Sequence, residues 1–139
     1  MTQLNEYRAW LLLGGDVDDV PPRFVSAIGS LNRRAGRVAD VSRLYLSEPW
    51  GMSTPGLFYN QAVCLLTTLE PGILMQVLLE IEKDHGRYRS DSDAPESRTL
   101  DMDILLIEEQ IIDTPGLQVP HPRMHLRRFA LLPLAEIAS

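Results

Sequence analysis

The chain has 139 residues, of which 45% are hydrophobic and 23% charged, and its formal net charge is −6. A chain of this length is long enough to bury a core and still shape a cleft. No stretch approaches the roughly 18 apolar residues that cross a bilayer, and the acidic balance argues against non-specific nucleic-acid binding. We therefore expect a single domain over residues 1–139, with neither a membrane nor a nucleic acid as partner.

Cellular location is indicated by the amino-terminal sequence and by cysteine usage. The stretch MTQLNEYRAWLLLGGD has no basic region before its short apolar patch and no small-residue cleavage site, unlike a secretory signal peptide. The single cysteine, Cys64, lies in the apolar stretch AVCLLTTL, where we interpret it as a packing residue rather than a nucleophile. These features favour a cytoplasmic protein, which we expect to be a monomer.

Strands and helices are predicted in chain order from apolar periodicity and turn residues. The strand AWLLLGG is followed by a helix that begins near Pro21 and Pro22, and then by an extended stretch, VADVSRLYLSE. The strand FYNQAVCLLTTL precedes a second helix that begins at Pro71, and TLDMDILLI is a strand again. The carboxy-terminal segment is expected to end as a short helix broken by Pro133. This β-α-β-β-α-β order predicts an α+β, ferredoxin-like fold, with helices packed on an antiparallel sheet.

A pair of aspartates opens the last long predicted strand. In SRTLDMDILLIEE one residue separates Asp101 from Asp103, so both side chains project from the same face of a strand. Carboxylates held together repel each other unless a cation lies between them, and Mg²⁺ is typically held by one or two carboxylates plus substrate phosphates. The pair alone is a weak signal, because an exposed strand end with solvated aspartates has the same pattern.

Arginines lie near this pair along the sequence. Arg98 precedes Asp101 by three residues, and Arg87 and Arg89 begin the polar stretch RYRSDSDAPES, which we expect to be an exposed loop. Guanidinium groups bind phosphate oxygens bidentately and a metal ion neutralises the same oxygens, a combination typical of phosphoryl transfer. The sequence contains neither a Walker-type nor a kinase-type glycine loop.

Five sequence blocks stand in one order over about residues 9 to 138: LYLSEPWG, FYNQAV, LLEIEKDHGRYR, SRTLDMDILL and VPHPRMHLRRFALLPLAEIA. Taken together and in this order, they resemble the 6-hydroxymethyl-7,8-dihydropterin pyrophosphokinase (HPPK) family. The resemblance implies an ATP-dependent diphosphotransferase of folate biosynthesis. Its substrates would be ATP and the pterin, whose hydroxymethyl oxygen receives the pyrophosphoryl group while AMP is released.

The same resemblance implies roles for individual residues. Asp101 and Asp103 would hold two Mg²⁺ ions and, with Arg87 and Arg98, form the catalytic set. The residues implied to bind ATP are Glu82, Arg87, Arg98, His121 and Arg127, with Glu82 orienting neighbouring arginines. The residues implied to bind the pterin are Ser47, Pro49, Trp50, Phe58, Asn60 and Phe129. Among these, Phe58 and Phe129 would sandwich the ring, and Asn60 would pair with its donor and acceptor edge.

The polar loop departs from the family pattern in its charge. Asp91, Asp93 and Glu96 offset the charge of the flanking arginines, and Glu96 and Ser97 stand where the family usually has Gly-Pro. A working pyrophosphokinase, which the retained metal and phosphate residues favour, and a non-catalytic pterin- or nucleotide-binding relative therefore both stay open. A generic magnesium-dependent nucleotide-binding domain is a third hypothesis, and Asn60 with its flanking aromatic residues speaks against it.

Overall fold

Among the described residues, five strands form an antiparallel sheet. The computed structural model describes residues 5–16, 20–47, 58–85, 100–108, 112–114, 117–120 and 128–137. In chain order the elements are β1 (Tyr7–Gly15), α1 (Val20–Arg34), β2 (Arg37–Val41), β3 (Tyr45–Ser47), β4 (Phe58–Thr67), α2 (Pro71–Asp84), β5 (Asp101–Ile107), β6 (Ile112–Thr114), β7 (Leu117–Val119) and α3 (Arg128–Ile137). The strand order is β2, β4, β1, β5, with β3 also paired to β4, while β6 and β7 pair with each other. The predicted α+β, ferredoxin-like fold is confirmed.

One face of the sheet is covered by α1 and α2. Alternate residues of β1 point to this face, and Ala9, Leu11 and Leu13 are fully buried there. They belong to one apolar cluster with Phe24 of α1 and Leu78 of α2. Each fully buried leucine of this kind contributes about 2 kcal/mol to folding, so this cluster is the main core.

The opposite face is covered by α3 at one end. Leu12 of β1, Leu105 of β5 and Leu134 of α3 form a smaller apolar cluster on this side. The register between β1 and β5 shifts at Trp10 and Leu11, and this irregularity lets Leu105 and its neighbour Leu106 both contribute to the smaller cluster. The polar residues of the candidate site lie on the same face, next to α3.

The predicted extended stretch after α1 is two strands rather than one. Between them, Ser42 is buried, and its hydroxyl accepts the Ala62 N–H at 2.9 Å. The Gln61 side chain donates to the Ser42 carbonyl oxygen at 2.8 Å. The Ser42 N–H still donates to the Ala62 carbonyl oxygen at 2.9 Å, so side chains supplement one remaining backbone bond at the break. The apolar pattern of the segment does not indicate this break.

The helix α3 continues through Pro133, so the predicted break at this residue is wrong. A proline inside a helix removes a hydrogen bond and crowds the carbonyl four residues earlier, which costs about 3 kcal/mol. Here Pro133 is buried, and the next residue, Leu134, packs against Leu12 and Leu105. Packing against the sheet therefore offsets the local preference. Within the described residues, no helix is long and apolar enough to span a membrane.

Candidate active site

A row of directly paired residues crosses the sheet on the face that carries α3. Asn60 of β4 pairs with Gly14 of β1, and Gly14 pairs in turn with Asp101 of β5. Directly paired residues of antiparallel strands project to the same face, so the Asn60 amide and the Asp101 carboxylate flank a glycine. Two strand spacings separate their Cα atoms, which is about 10 Å. A small ligand can therefore contact both side chains.

The second aspartate lies in the next row on the same face. Asp103 pairs with Leu12, a residue of the smaller apolar cluster, while Met102 between the aspartates is buried in the main core on the other side. The two carboxylates thus share one face, as their spacing indicates. This shared face is the geometric condition for joint binding of a cation, and their role as metal ligands stays a prediction.

The donor set at this strand fits a magnesium ion. Asp101 and Asp103 offer carboxylate oxygens, the donors that Mg²⁺ prefers. In the part of the chain that the structure describes, no group of three or more His, Cys, Asp or Glu side chains could hold a metal ion. A pair of carboxylates suits an ion that takes its remaining ligands from phosphates and water, as Mg²⁺ commonly does.

Gly14 allows an aromatic ring to approach the centre of the row. A Cβ atom at Gly14 would lie 3.0 Å from two ring atoms of Phe58 and 3.4 Å from Asn60 Oδ1. Contacts of 3.0 Å are tighter than nearly all real Cβ contacts. The absence of a side chain at Gly14 therefore lets the Phe58 ring and the Asn60 amide come together over β1.

Asn60 is the most unusual polar residue of the described sheet. Its side chain is 1% exposed, and neither the amide nitrogen nor the amide oxygen has a hydrogen-bond partner among the described residues. A buried polar group without a partner costs about 1–3 kcal/mol. An amide that offers both a donor and an acceptor is satisfied by a ligand edge with the complementary pair of groups. The site therefore fits a flat heterocycle of that kind beside Phe58.

Glu82 reaches the aspartate strand from α2. Its side chain is buried at 4% exposure, and Oε2 accepts the backbone N–H of Met102 at 2.7 Å. This bond holds the backbone between Asp101 and Asp103. The implied contacts of Glu82 with arginines and ATP stay predictions.

Many of the sequence-predicted site residues lie outside the described residues. These are Pro49, Trp50, Arg87, Arg98, His121 and Arg127, and the polar loop 87–97 lies outside them too. For Ser47 and Phe129 the structure describes the backbone alone: Ser47 pairs with Phe58, and Phe129 is in the first turn of α3. The roles assigned to all these residues stay predictions.

A group of contacts next to Asn60 could not be predicted from local sequence patterns. Tyr45 pairs with Asn60, and its hydroxyl donates to Glu136 Oε1 at 2.7 Å. Arg43 donates to the same carboxylate through its backbone N–H at 2.9 Å and its Nε at 3.0 Å. The Tyr45 hydroxyl and the Arg43 guanidinium lower the pKa of Glu136. These bonds fasten α3 to β3 and to the residues just before β3, across 91 and 93 positions of sequence, separations at which spacing patterns carry no information.

Comparison with known proteins identifies the family. Residues 10–139 match the family model described as 7,8-dihydro-6-hydroxymethylpterin-pyrophosphokinase (HPPK). The chain belongs to the HPPK family. Relatives named 2-amino-4-hydroxy-6-hydroxymethyldihydropteridine pyrophosphokinase include a Bacillus subtilis protein that is 39% identical over 132 residues, covering 94% of this chain and 78% of the relative. A Pseudomonas aeruginosa relative with the same name is also 39% identical over 132 residues, covering 94% of this chain and 80% of the relative.

Solved structures agree with this HPPK assignment at the level of the fold. A Plasmodium falciparum HPPK-DHPS structure with pteroate has a TM-score of 0.74 and 14% identity, with 96% of this chain and 39% of that chain covered. An HPPK-DHPS structure in complex with substrates has a TM-score of 0.71 and 14% identity, covering 96% and 40%. The present chain thus spans about two-fifths of those HPPK-DHPS chains. The predicted family, and with it the class of ATP-dependent pyrophosphokinases, is confirmed.

Proposed function

We propose that the chain transfers the pyrophosphoryl group of ATP to the hydroxymethyl oxygen of 6-hydroxymethyl-7,8-dihydropterin, giving AMP and the pterin diphosphate. The observation that carries this proposal is the row across the sheet, where Asn60 and Asp101 flank Gly14 on one face. A pterin at the amide and a triphosphate at the carboxylate would then lie within reach of each other. Holding both reactants in this way makes the reaction effectively intramolecular.

The pterin side of the proposal rests on Asn60 and Phe58. Because both polar atoms of the buried Asn60 amide lack partners among the described residues, a pterin edge would satisfy them without displacing an existing protein bond. The Phe58 ring beside Gly14 would provide a flat apolar surface for the heterocycle. We assign the remaining pterin contacts to Ser47, Pro49, Trp50 and Phe129.

The phosphate side rests on the aspartate pair. Asp101 and Asp103 would hold two Mg²⁺ ions together with the triphosphate. When bound, these ions would neutralise the charge that develops on the attacking and leaving oxygens. We assign ATP binding to Arg87, Arg98, His121 and Arg127, the arginines as bidentate donors, and to Glu82 as the residue that orients neighbouring arginines. In the transfer, the pterin oxygen forms a bond with the β-phosphorus while the bond from that phosphorus to the AMP oxygen breaks.

We further propose that residues 1–139 form a single domain and that the protein acts as a cytoplasmic monomer. The continuous apolar cluster that joins α1, α2 and the sheet supports one domain. Cys64 is a free, buried thiol, which suits a reducing compartment. The net charge of −6 supports the expectation that neither nucleic acid nor an anionic membrane surface is a partner.

A non-catalytic pterin-binding relative is the second candidate function. The observation in its favour is the acidic character of the polar loop. This loop is expected near the triphosphate, and it contains Asp91, Asp93 and Glu96. Like charges near the phosphates would weaken nucleotide binding. The Asn60 site is unaffected by this loop charge, so pterin binding would persist.

The experiment that tests the proposal is an assay for AMP. Purified protein is incubated with 6-hydroxymethyl-7,8-dihydropterin, ATP and Mg²⁺, and AMP is measured by chromatography, with reactions lacking the pterin as the control. AMP that forms only with the pterin is the expected result. If no AMP forms while calorimetry still detects pterin binding, the non-catalytic function is the correct one.

A further inference from the structure

We infer that Glu82 is a positioning residue for the aspartate pair, which it holds in place through the backbone of β5. The inference rests on the proposed function, because it assigns Glu82 a task in building the metal-binding strand. Glu82 Oε2 accepts the N–H of Met102, the residue between Asp101 and Asp103, at 2.7 Å. This bond therefore fixes the backbone of Met102, on which the positions of both carboxylates depend.

The position of β5 in the sheet explains why such a bond matters. β5 is the last strand in the order β2, β4, β1, β5, and within the described part of the chain no strand pairs with its outer edge. Alternate N–H groups of an edge strand point away from the sheet and need a partner. Glu82 supplies an acceptor to one of these groups with a buried carboxylate at 4% exposure.

The direction from which Glu82 approaches separates it from the metal ligands. Its neighbour Ile81 is fully buried in the main core, where Met102 also packs. That core lies on the face opposite the one shared by Asp101 and Asp103. Glu82 contacts the strand at the Met102 N–H, and among the described residues it forms no metal-holding group with Asp101 and Asp103, so it acts on them through the strand backbone and not as a third ligand.

A carboxylate is well suited to this task. Hydrogen bonds from a backbone N–H to a charged acceptor are stronger than those to a neutral one, and burial makes an unpaired carboxylate unfavourable. The bond keeps Met102 extended, and an extended Met102 is what makes the flanking side chains project to the same face. Functional groups must be held within about 0.5 Å of their working positions, so loosening this strand should weaken the shared cation site.

A pair of conservative variants tests the inference. Glu82→Gln loses the charge but keeps a carbonyl oxygen that reaches the Met102 N–H, whereas Glu82→Asp keeps the charge but is one methylene too short. Glu80→Gln is the matched control, because Glu80 lies on the same helix and pairs with Arg34 in an exposed ion pair. Two readouts are needed, and neither depends on catalytic activity.

The first readout is the exchange rate of the Met102 amide hydrogen, measured by NMR on the protein without nucleotide. We expect a protected amide in wild type, Glu82→Gln and Glu80→Gln, and exchange at least roughly 10-fold faster in Glu82→Asp. The second is the affinity for Mn²⁺ with a non-hydrolysable ATP analogue. Residues that orient metal ligands typically change metal affinity by about 10–100-fold, so Glu82→Asp should lose at least about 10-fold and Glu82→Gln far less.

The opposite order of the variants would overturn the inference. If Glu82→Asp binds Mn²⁺ and the analogue like wild type while Glu82→Gln does not, Glu82 acts through its charge on arginines or phosphates. Pterin affinity should be unchanged in both variants, and loss of pterin affinity would show a general structural role instead. A wild-type protein that forms no AMP would refute the proposed function, whereas amide exchange would still report on Glu82.

Discussion

The Asn60 amide is buried with both polar atoms unpaired among the described residues, which is a costly arrangement for a protein without its ligand. Sites that bind a heterocycle through hydrogen bonds often accept such a cost, because a ligand lacking the matching groups is then rejected. Folding stability and pterin recognition should therefore respond in opposite directions when this side chain is changed.

Replacing Asn60 by leucine tests whether folding stability and pterin binding change in opposite directions. Leucine has a similar volume and no polar atoms, so Asn60→Leu should raise the free energy of unfolding by about 1 kcal/mol. The same change should weaken pterin binding at least about 10-fold and leave ATP binding unchanged, since each lost ligand hydrogen bond costs about 1 kcal/mol or more. Urea unfolding and calorimetry measure the two effects. A destabilised variant would mean that the amide is already bonded in the free protein.

Gly14 offers a test of the contact with Phe58. In Gly14→Ala the new methyl group would lie 3.0 Å from the Phe58 ring, so the ring must move. We expect a loss of about 1–3 kcal/mol of stability from overpacking, together with weaker pterin binding. Gly72→Ala is the matched control: nothing lies within 4 Å of a Cβ there, and alanine in this helix should stabilise by about 0.5–1 kcal/mol. Equal effects of the two changes would contradict the assigned contact.

Asp103 is one of the two residues to which we assign metal binding. Removal of a group that stabilises transition-state charge usually lowers turnover about 100-fold or more, and Asp103→Ala should do the same. Asp84→Ala, which removes an exposed partner of Arg34, is the control and should retain full activity. If Asp103→Ala keeps more than about a tenth of the wild-type AMP rate, its assignment as a metal ligand is wrong.

At the scale of elements, α3 is fastened to β3 by an ionised carboxylate. The Tyr45 hydroxyl and Arg43 hold the pKa of Glu136 below its usual value. A depressed pKa in the folded state means that the charged form favours folding. The stabilising contribution is therefore fully present above the unfolded-state pKa of about 4.3 and is lost as the pH falls through the folded-state pKa.

Glu136→Gln reveals this contribution through its pH dependence. The variant should be less stable than wild type at neutral pH. The difference should shrink as the pH falls below about 4.3, because Glu136 then binds a proton in the unfolded chain before it does so in the folded protein. Urea unfolding at a series of pH values measures the difference. A constant difference across the whole range would mean that the ionised form of Glu136 does not contribute.

The order of the helices and of β1, β2, β4 and β5 was predictable from the sequence, because each of these elements has its own apolar periodicity and its own turn residues, whereas the division into β2 and β3 was not. The shared face of Asp101 and Asp103 was equally local, since it follows from alternation along one strand. The role of Gly14 as a contact between strands, the bond from Glu82 to Met102 and the continuation of α3 through Pro133 depend on strand register and packing. Local patterns contain no information on such distant contacts.

In the whole molecule, one face of the sheet packs the main core and the other carries the candidate site. The face under α1 and α2 holds the main core, while the other face carries α3 and, beside it, the candidate site. The ends of β1, β4 and β5 therefore bring an amide, a glycine and the aspartates together without interrupting the core. We therefore expect pterin and metal-bound nucleotide to occupy neighbouring positions on this face.

The distance between a bound Mn²⁺ ion and the pterin shows whether the two ligands are neighbours. It can be obtained from paramagnetic relaxation of the pterin protons in a complex with Mn²⁺ and a non-hydrolysable ATP analogue, with Mg²⁺ as the diamagnetic control. Because Asn60 and Asp101 are two strand spacings apart, we predict a distance on the order of 10 Å or less. A distance of about twice that value, or relaxation that persists unchanged in Asp103→Ala, would contradict a shared site on this face.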